Sequence, residues 1–425
     1  MGRRVRPLLA LAVVGVVTLV AVPNAGASPT NPIYQQKSAQ YVIGGVATGA
    51  DRNRIGGTGA AIDAVEDGRA TVTATPDEAR RIAGLGYRVT RAETEGFPAA
   101  DAGYHDYAEM MAELDKAAKA YPKIMRKLSL GKSYEGRDMP LIKISDNVTV
   151  DENEPEILYD AHQHAREHIT VEMALYLVRL FTEGYNKDPR ITSLVNGREI
   201  WIVPDMNPDG GEYDIAGGRY HNWRKNRQPV SGGAFRGIDL NRNWGYQWGC
   251  CDGSSPVSSS ETYRGPEAFA APEIQHLRDF VLSRRIGGVQ QIRAAIDFHS
   301  YSELVLWPFG FTMRPTAPGL GADQQQTFAA IGGQMAKSNG YTPEQSSSLY
   351  ITDGSIIDWL WATQGVWAFT LEMYPNSPGK GGFYPSASVI AAQTARNKDA
   401  SLLLADYADC PYRAIAKQRQ YCYRG

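Results

Sequence analysis

The order of apolar and polar residues after position 104 is typical of alternating strands and helices. Short apolar runs predict buried β-strands at 156–161, 199–203, 293–298 and 367–371. Longer mixed stretches predict helices at 167–185 and 388–407. This alternation indicates an α/β fold in which helices flank both faces of a mixed, mostly parallel central β-sheet. We therefore predict a single large domain over residues 98–409, followed by a cysteine-containing tail at 410–425.

Residues 28–97 have a different pattern. Two β-like segments, 40–46 and 69–74, are followed by a helical pattern at 76–85 and a strand-like segment at 87–90. We predict a small α+β pro-segment that is removed by an activating protease, which makes the protein a zymogen. A permanent N-terminal domain is the alternative. The small-residue-rich stretch 93–103 predicts an exposed, cleavable linker.

The first 27 residues match a secretory signal peptide. A basic start with Arg3, Arg4 and Arg6 precedes an apolar run at 7–23, and Ala25-Gly26-Ala27 provides a small-x-small cleavage pattern. The apolar run falls short of the ~18–20 residues that span a bilayer. A retained anchor is the alternative, and the pair Arg3-Arg4 leaves twin-arginine export open. We predict a secreted, extracellular protein.

Composition narrows the class of partner and the redox compartment. The 425-residue chain has a formal net charge of -2, so nothing favours nucleic acid or a membrane surface as a partner. The four cysteines, Cys250, Cys251, Cys410 and Cys422, suit an oxidising compartment, and three pairings are open. We expect the neighbours Cys250 and Cys251 not to bridge each other easily, which favours a local 410–422 loop. Nothing suggests more than a monomer.

Histidine is scarce, with seven in the chain, so its placement is informative. His164 follows the strand at 156–161, His299 follows the strand at 293–298, and Glu372 follows the strand at 367–371. Ligands of open α/β sheets bind at the carboxyl ends of strands. A catalytic zinc site needs three nitrogen or oxygen ligands and one open position. His164 and Glu167, three residues apart, together with the remote His299, form such a set.

A second interpretation of the same stretch is available. His164-Ala165-Arg166-Glu167-His168 also matches the H-x-x-E-H pattern, in which both histidines bind zinc and the glutamate is the base. That pattern requires both histidines on one helix face, whereas His164 is predicted to precede the helix. We therefore expect His162 and His168 to be supporting or surface residues.

Further motifs occur in a fixed order along residues 103–409. They are Gly131-Lys132-Ser133-Tyr134-Glu135-Gly136-Arg137, His164-Ala165-Arg166-Glu167, Asn207-Pro208-Asp209-Gly210, Trp223-Arg224-Lys225-Asn226-Arg227, Asp239-Leu240-Asn241-Arg242-Asn243-Trp244, His299-Ser300-Tyr301, Tyr350 ahead of Asp358-Trp359, and Phe369-Thr370-Leu371-Glu372. With these motifs the sequence resembles the zinc carboxypeptidases of the pancreatic carboxypeptidase A and bacterial carboxypeptidase T type. So many ordered matches leave little room for chance.

The resemblance implies a secreted exopeptidase that takes peptide or protein C-termini and holds one zinc ion per chain. It assigns His164, Glu167 and His299 to the metal, and Glu372 to the general base. Arg224 would stabilise the oxyanion. The substrate residues would be Asn241 and Arg242 at the terminal carboxylate, Tyr350 from a mobile loop, and Arg166 at a further contact.

The resemblance also identifies Ile357, two residues before Trp359, as the base of the side-chain pocket. An aliphatic residue there implies a preference for hydrophobic or aromatic C-terminal residues. Asp353 lies nearby, and if it lines the pocket the enzyme would also accept Lys or Arg. The alternatives are a relative acting on cell-wall peptides or small N-acyl amino acids, or an inactive zinc- or peptide-binding module. Sequence alone leaves structural calcium open.

Overall fold

The computed structural model describes residues 38–66, 68–91, 101–216, 218–230 and 236–422. The predicted signal peptide, the first residues of the predicted pro-segment and most of the predicted linker lie outside these ranges. The described residues belong to one compact unit.

Residues 39–91 form a small α+β layer. Its elements are β1 (Ala39–Gly44), α1 (Gly49–Gly56), β2 (Ala61–Glu66), β3 (Arg69–Ala74), α2 (Pro76–Gly84) and β4 (Arg88–Arg91). The four strands pair antiparallel in the order β2-β3-β1-β4. Both helices begin with a capping box, Thr48 with Asp51 and Thr75 with Glu78. The α+β prediction is confirmed, although α1 and β2 were not predicted from the sequence.

The larger part of the chain contains an eight-stranded sheet with helices on both faces, and a separate two-stranded sheet formed by β9 (Arg285–Ile286) and β10 (Val289–Gln290). Its elements are α3 (Tyr107–Ala120), β5 (Met125–Lys132), β6 (Asp138–Ile144), β7 (Glu156–Ala161), α4 (Ile169–Gly184), α5 (Pro189–Val195), β8 (Glu199–Val203), α6 (Pro208–Asp214), α7 (Pro272–Ser283), β9 (Arg285–Ile286), β10 (Val289–Gln290), β11 (Ile292–Ser300), β12 (Leu304–Trp307), α8 (Ala322–Asn339), β13 (Thr342–Gln345), α9 (Ser346–Leu349), α10 (Ile356–Trp359), β14 (Trp367–Met373), α11 (Ile390–Arg396), α12 (Lys398–Tyr407) and α13 (Gln418–Tyr421).

The large sheet is mixed, with the strand order β13-β12-β14-β11-β7-β8-β6-β5. The central strands β14, β11, β7 and β8 run parallel, whereas β12, β6 and β5 pair antiparallel to their inner neighbours. Every residue of β7 and β8 is buried, which agrees with their mostly apolar sequences. The predicted mixed, mostly parallel sheet is confirmed.

Two apolar clusters cover the two faces of this sheet. Ile157 and Tyr159 of β7 belong to the cluster that includes buried residues of α4 and α12, while Leu158 belongs to the cluster under α7 and α10. Successive strand residues point to opposite faces, so one strand contributes to both clusters. Among the residues that the structure describes, no helix is both long enough and apolar enough to cross a bilayer.

Several predicted boundaries were wrong. β11 and β14 extend to Ser300 and Met373, so His299 and Glu372 lie within strands and not after them. The predicted helix at 388–407 is divided at Asn397, whose buried side chain donates to Gln393 O and to Tyr341 Oη, both at 3.1 Å. Such side-chain bonds compete with continuous helix formation.

Candidate metal and substrate cleft

Three predicted metal ligands meet at the carboxyl ends of β7 and β11. His164 Nδ1 lies 2.8 Å from Glu167 Oε1, and His299 Nδ1 lies 2.9 Å from Glu167 Oε2. Ligand atoms of these three buried residues all lie within 4.8 Å of one another. Two imidazole nitrogens and one carboxylate form the donor set that suits a catalytic zinc ion.

A carboxylate lies behind each histidine. His164 Nε2 lies 3.1 Å from Asp239 Oδ1, and His299 Nε2 lies 2.9 Å from Asp297 Oδ2. A histidine whose Nε2–H donates to a carboxylate keeps its Nδ1 lone pair for a metal. Sequence reasoning missed both supporting roles, although Asp239 begins a quoted motif and Asp297 lies two residues before His299. The pattern strengthens the fit of this group to zinc.

One cleft contains His164, Glu167 and His299, and Glu372 of β14 also lines it. In the sheet, Glu372 pairs in register with His299 of β11. Burial raises the pKa of Glu372 to about 8, although the nearby His299 acts in the opposite direction. A carboxyl group of this pKa holds its proton near neutral pH until a cation is placed beside it. The side chain is thus suited to proton transfer next to the metal-ligand group.

Arg224 lines the cleft beside the same group. Its Nε donates to Asp239 Oδ2 at 3.0 Å, so one carboxylate orients both Arg224 and His164. Burial disfavours the charged forms, but the mutual attraction of Arg224 and Asp239 keeps the pKa of Asp239 far below its usual range. Arg224 is therefore a fixed positive charge at the cleft wall.

Asn241, Arg242 and Tyr350 also line the cleft. Arg242 Nη2 donates to Tyr350 Oη at 2.9 Å, and its Nη1 donates to Asn241 O at 2.7 Å. Asn241 Oδ1 accepts the Ile356 N–H at 2.9 Å, and Asn241 Nδ2 lies 3.0 Å from His299 Nε2. The structure thus brings the predicted carboxylate-binding residues next to the metal-ligand group.

Arg166 is engaged by the small N-terminal layer. Its side chain is fully buried and its Nη2 lies 2.9 Å from Asp63 Oδ1 of β2. The guanidinium also lies 4.0 Å from the ring centre of Phe383, which lines the cleft and which sequence reasoning did not identify. Phe383 had no local signal beyond its aromatic character.

Ile357 lines the cleft and is buried. Asp353, the other candidate for the pocket, is buried but is not among the residues that line this cleft. Its carboxylate accepts hydrogen bonds from backbone groups of the 249–253 stretch. The condition under which Asp353 would admit Lys or Arg is therefore not met.

His162 and His168, the two other histidines near this motif, contact carboxylates outside the metal-ligand group. His162 Nδ1 lies 2.8 Å from Asp205 Oδ1, and its Nε2 lies 2.8 Å from Ala165 O. His168 Nε2 lies 3.0 Å from Asp214 Oδ2, away from the metal-ligand group. The H-x-x-E-H interpretation, with His168 as a zinc ligand, does not fit this geometry.

Both disulfides are formed between residues close in sequence. Cys410 pairs with Cys422, as predicted. Cys250 pairs with its neighbour Cys251, so the expectation that these two would not bridge each other was wrong. This disulfide lies between Gly249 and Gly253, whose backbone N–H groups both donate to the Asp353 carboxylate.

A second acidic group contains none of the residues that line the cleft. Asp151, Glu156 and Glu199 have carboxylate oxygens close enough together to hold an ion. Arg284 contacts Asp151 at 2.7 Å and Glu199 at 3.6 Å, and Lys143 contacts Glu199 at 2.6 Å. The chain therefore supplies its own counter-charges at this group.

Comparisons with known proteins show which family and which fold this chain resembles. The zinc carboxypeptidase family model matches residues 110–400. A zinc carboxypeptidase of Saccharothrix mutabilis subsp. capreolus is 43% identical over 98% of this chain and 100% of its own. Carboxypeptidase A1 of Rattus norvegicus is 32% identical over 68% of this chain and 66% of its own. The crystal structure of carboxypeptidase A from Helicoverpa armigera has the same fold, with a TM-score of 0.73 and 22% identity over 91% of this chain and 99% of that one.

Proposed function

The chain belongs to the zinc carboxypeptidase family, and we propose that it removes single residues from the C-termini of peptides. One observation carries this proposal. Arg242 and Asn241, which suit a terminal carboxylate, share a cleft with Glu372 and with the metal-ligand group. A terminal carboxylate bound by Arg242 brings the last peptide bond of the substrate to the metal side of the cleft. The same grip disfavours cleavage of internal peptide bonds, because the buried Arg242 would then have no carboxylate partner.

We assign the zinc ion of this family to His164, Glu167 and His299. Bound there, zinc lowers the pKa of a coordinated water and polarises a carbonyl group. Asp239 and Asp297 would keep the two Nδ1 atoms directed at the ion.

Proton transfer is assigned to Glu372. Beside a bound dication the pKa of Glu372 would fall from its value of about 8, so its carboxylate would accept a proton at neutral pH. It then donates the proton to the departing amine, since the same group serves as base and acid in turn.

Arg224 and Tyr350 complete the assigned roles. Arg224, held by Asp239, would donate to the oxyanion that develops on the scissile carbonyl. Tyr350 Oη contacts Arg242 Nη2 at 2.9 Å, so an incoming carboxylate takes the place of this hydroxyl. The phenol ring is then free to close over the substrate.

Specificity follows from the apolar wall of the cleft. Ile357 is 2% exposed, and the Asp353 carboxylate accepts a hydrogen bond from the Gly253 N–H outside the cleft. A pocket without a charged residue at its base favours hydrophobic or aromatic side chains over Lys or Arg.

Residues 28–97 are proposed to be a cleavable pro-segment. Ile62 and Asp63 line the cleft, and Asp63 forms an ion pair with Arg166. Asn53 Oδ1 accepts the Ile351 N–H at 2.8 Å, which ties α1 to the loop of Tyr350. A peptide substrate cannot use Arg166 while this layer is bound. The proposal also includes export directed by the signal sequence. A protease then activates the enzyme by cutting the linker, and the enzyme acts as a monomer.

The test uses the full chain, loaded with zinc and then cut by limited proteolysis within residues 93–103. Release of C-terminal Phe, Leu, Lys and Arg from blocked dipeptides is measured with and without a chelator. Chelator-sensitive release of Phe and Leu, abolished in Glu372→Gln but kept in the exposed control Glu267→Gln, supports the proposal. Absence of release from folded, zinc-loaded wild-type protein would overturn it.

A further inference from the structure

Asp353 is a buried carboxylate on the chain between Tyr350 and α10, outside the lining of the cleft. Its Oδ2 accepts the Cys251 N–H at 3.2 Å and the Gly253 N–H at 2.9 Å. Its Oδ1 accepts the Gly249 N–H at 3.2 Å and the Ser254 hydroxyl. Four donors from one short loop, residues 249–254, therefore converge on one carboxylate.

This convergence makes the loop and Asp353 depend on each other. A buried carboxylate is costly unless hydrogen bonds replace its water. The backbones also touch: a Cβ on Gly253 would lie 2.5 Å from Asp353 N. The loop cannot shift without removing donors from the carboxylate.

The same loop contacts Arg242. Gly253 O accepts Arg242 Nε at 3.1 Å, while Arg242 Nη1 donates to Asn241 O at 2.7 Å. A guanidinium is planar, so fixing Nε and one Nη fixes the plane in which the other Nη is presented to a ligand. Gly354, next to Asp353, has φ +64°, and a Cβ there would lie 2.5 Å from Arg242 O. Arg242 is thus held through both its side chain and its backbone.

The Cys250–Cys251 disulfide lies within this loop, between Gly249 and Gly253, which both donate to Asp353. A bond between adjacent residues excludes backbone conformations in which their side chains separate. The disulfide therefore restricts the loop to conformations near the one that places the Gly253 carbonyl against Arg242.

We propose that Asp353 and the disulfide-containing loop 249–254 are positioning elements that set the Arg242 guanidinium for a substrate carboxylate. This inference rests on the proposed function, in which Arg242 holds the free C-terminus. Loosening the loop then weakens binding of any ligand with a terminal carboxylate. Ligands that use only the metal are unaffected, and so is most of the chemical step.

The experiment compares Asp353→Asn, Cys250→Ser/Cys251→Ser and the matched control Asp252→Asn, which changes an exposed carboxylate in the same loop. Each is zinc-loaded full chain, cut within residues 93–103. KM and kcat are measured with a blocked dipeptide, and inhibition constants with 2-benzylsuccinate, a dicarboxylate, and acetohydroxamate, a metal ligand without a carboxylate.

For Asp353→Asn we expect KM and the benzylsuccinate constant to rise about tenfold or more, with kcat within about threefold and acetohydroxamate unchanged. The cysteine double variant should show a smaller rise with the same ligand dependence, and Asp252→Asn should show none. If Asp353→Asn does not fold, Ser254→Ala, which removes one donor to Asp353, takes its place.

Equal weakening of both inhibitors, or no weakening of either, overturns the inference. Failure of the proposed function has a separate signature. In that case the wild-type protein itself neither turns over the dipeptide nor binds benzylsuccinate, although it holds zinc.

Discussion

Asp63 and Arg166 form a fully buried ion pair between the small N-terminal layer and the cleft, with Asp63 Oδ1 2.9 Å from Arg166 Nη2. Asp63 Oδ2 also accepts the Thr73 hydroxyl at 2.8 Å. The pair joins residues 103 positions apart, so it reports directly on docking of the layer.

The first prediction concerns the pH dependence of this docking. Burial raises the pKa of Asp63 from 3.8 to about 6, although Arg166 opposes the rise. The docked state therefore binds a proton more tightly than the released state. Docking is strongest below about pH 4 and weakens, up to about 100-fold, as the pH rises towards 6.

This weakening is measured as the inhibition that the cut layer retains on peptidase activity, with Asp63→Asn as the variant that lacks the titrating group. We expect Asp63→Asn to lose most of the pH dependence between pH 4 and 6. Stronger inhibition at pH 6 than at pH 4 would contradict the sign of the prediction.

The second prediction concerns protons released on zinc binding. Burial opposes the charge on His299, but Asp297 and Glu167 raise its pKa well above the usual value, and burial raises the pKa of Glu372 to about 8. Zinc therefore competes with a proton for His299, and a dication bound beside Glu372 would lower the pKa of that carboxyl group and release its proton. Zinc affinity should therefore increase as pH rises from 6 to 8.

Isothermal titration calorimetry in buffers of different ionisation enthalpy counts these protons. We expect more than one to be released by the wild-type protein at pH 7, and fewer by Glu372→Gln. Glu267→Gln should match the wild type. Equal proton release by all three would show that Glu372 does not respond to the metal.

The third prediction concerns the pocket. Ile357→Asp places a carboxylate on the wall of the cleft, where it attracts a C-terminal Lys or Arg. Binding of Phe would remove water from this carboxylate without giving it a partner, so Phe binds less well. The ratio of kcat/KM for Lys over Phe should rise about 100-fold or more. Ile357→Val keeps the wall apolar and should leave the ratio nearly unchanged, so a rise in that control would argue for a packing effect.

The fourth prediction separates the two disulfides. The Cys410–Cys422 bond joins residues 12 positions apart, so its loss should lower the free energy of unfolding by about 2–3 kcal/mol on loop-closure grounds. The Cys250–Cys251 bond closes almost no loop and should cost much less. Thermal unfolding of the two double-serine variants measures this difference, and kcat/KM should change only in the Cys250→Ser/Cys251→Ser protein.

Local sequence was sufficient for much of the fold and for part of the site. The strands at 156–161 and 199–203 were predicted with their observed bounds, because buried parallel strands have mostly apolar sequences. The spacing of His164 and Glu167 across one turn was also local information. The ends of β11 and β14 were not, since the pairing of His299 with Glu372 extends both strands beyond their apolar runs.

Tertiary structure decided the contacts between distant residues. The sequence identified Asp353 as a pocket candidate, and only packing against residues 249–254 directs its carboxylate away from the cleft. The Asp239 carboxylate behind His164 comes from 75 positions further along the chain, and the Asp63–Arg166 ion pair depends on how one layer docks on another. Strand periodicity and short motifs depend on near neighbours along the chain. The partner of a buried charge depends on sheet register and layer packing, which join residues from across the sequence.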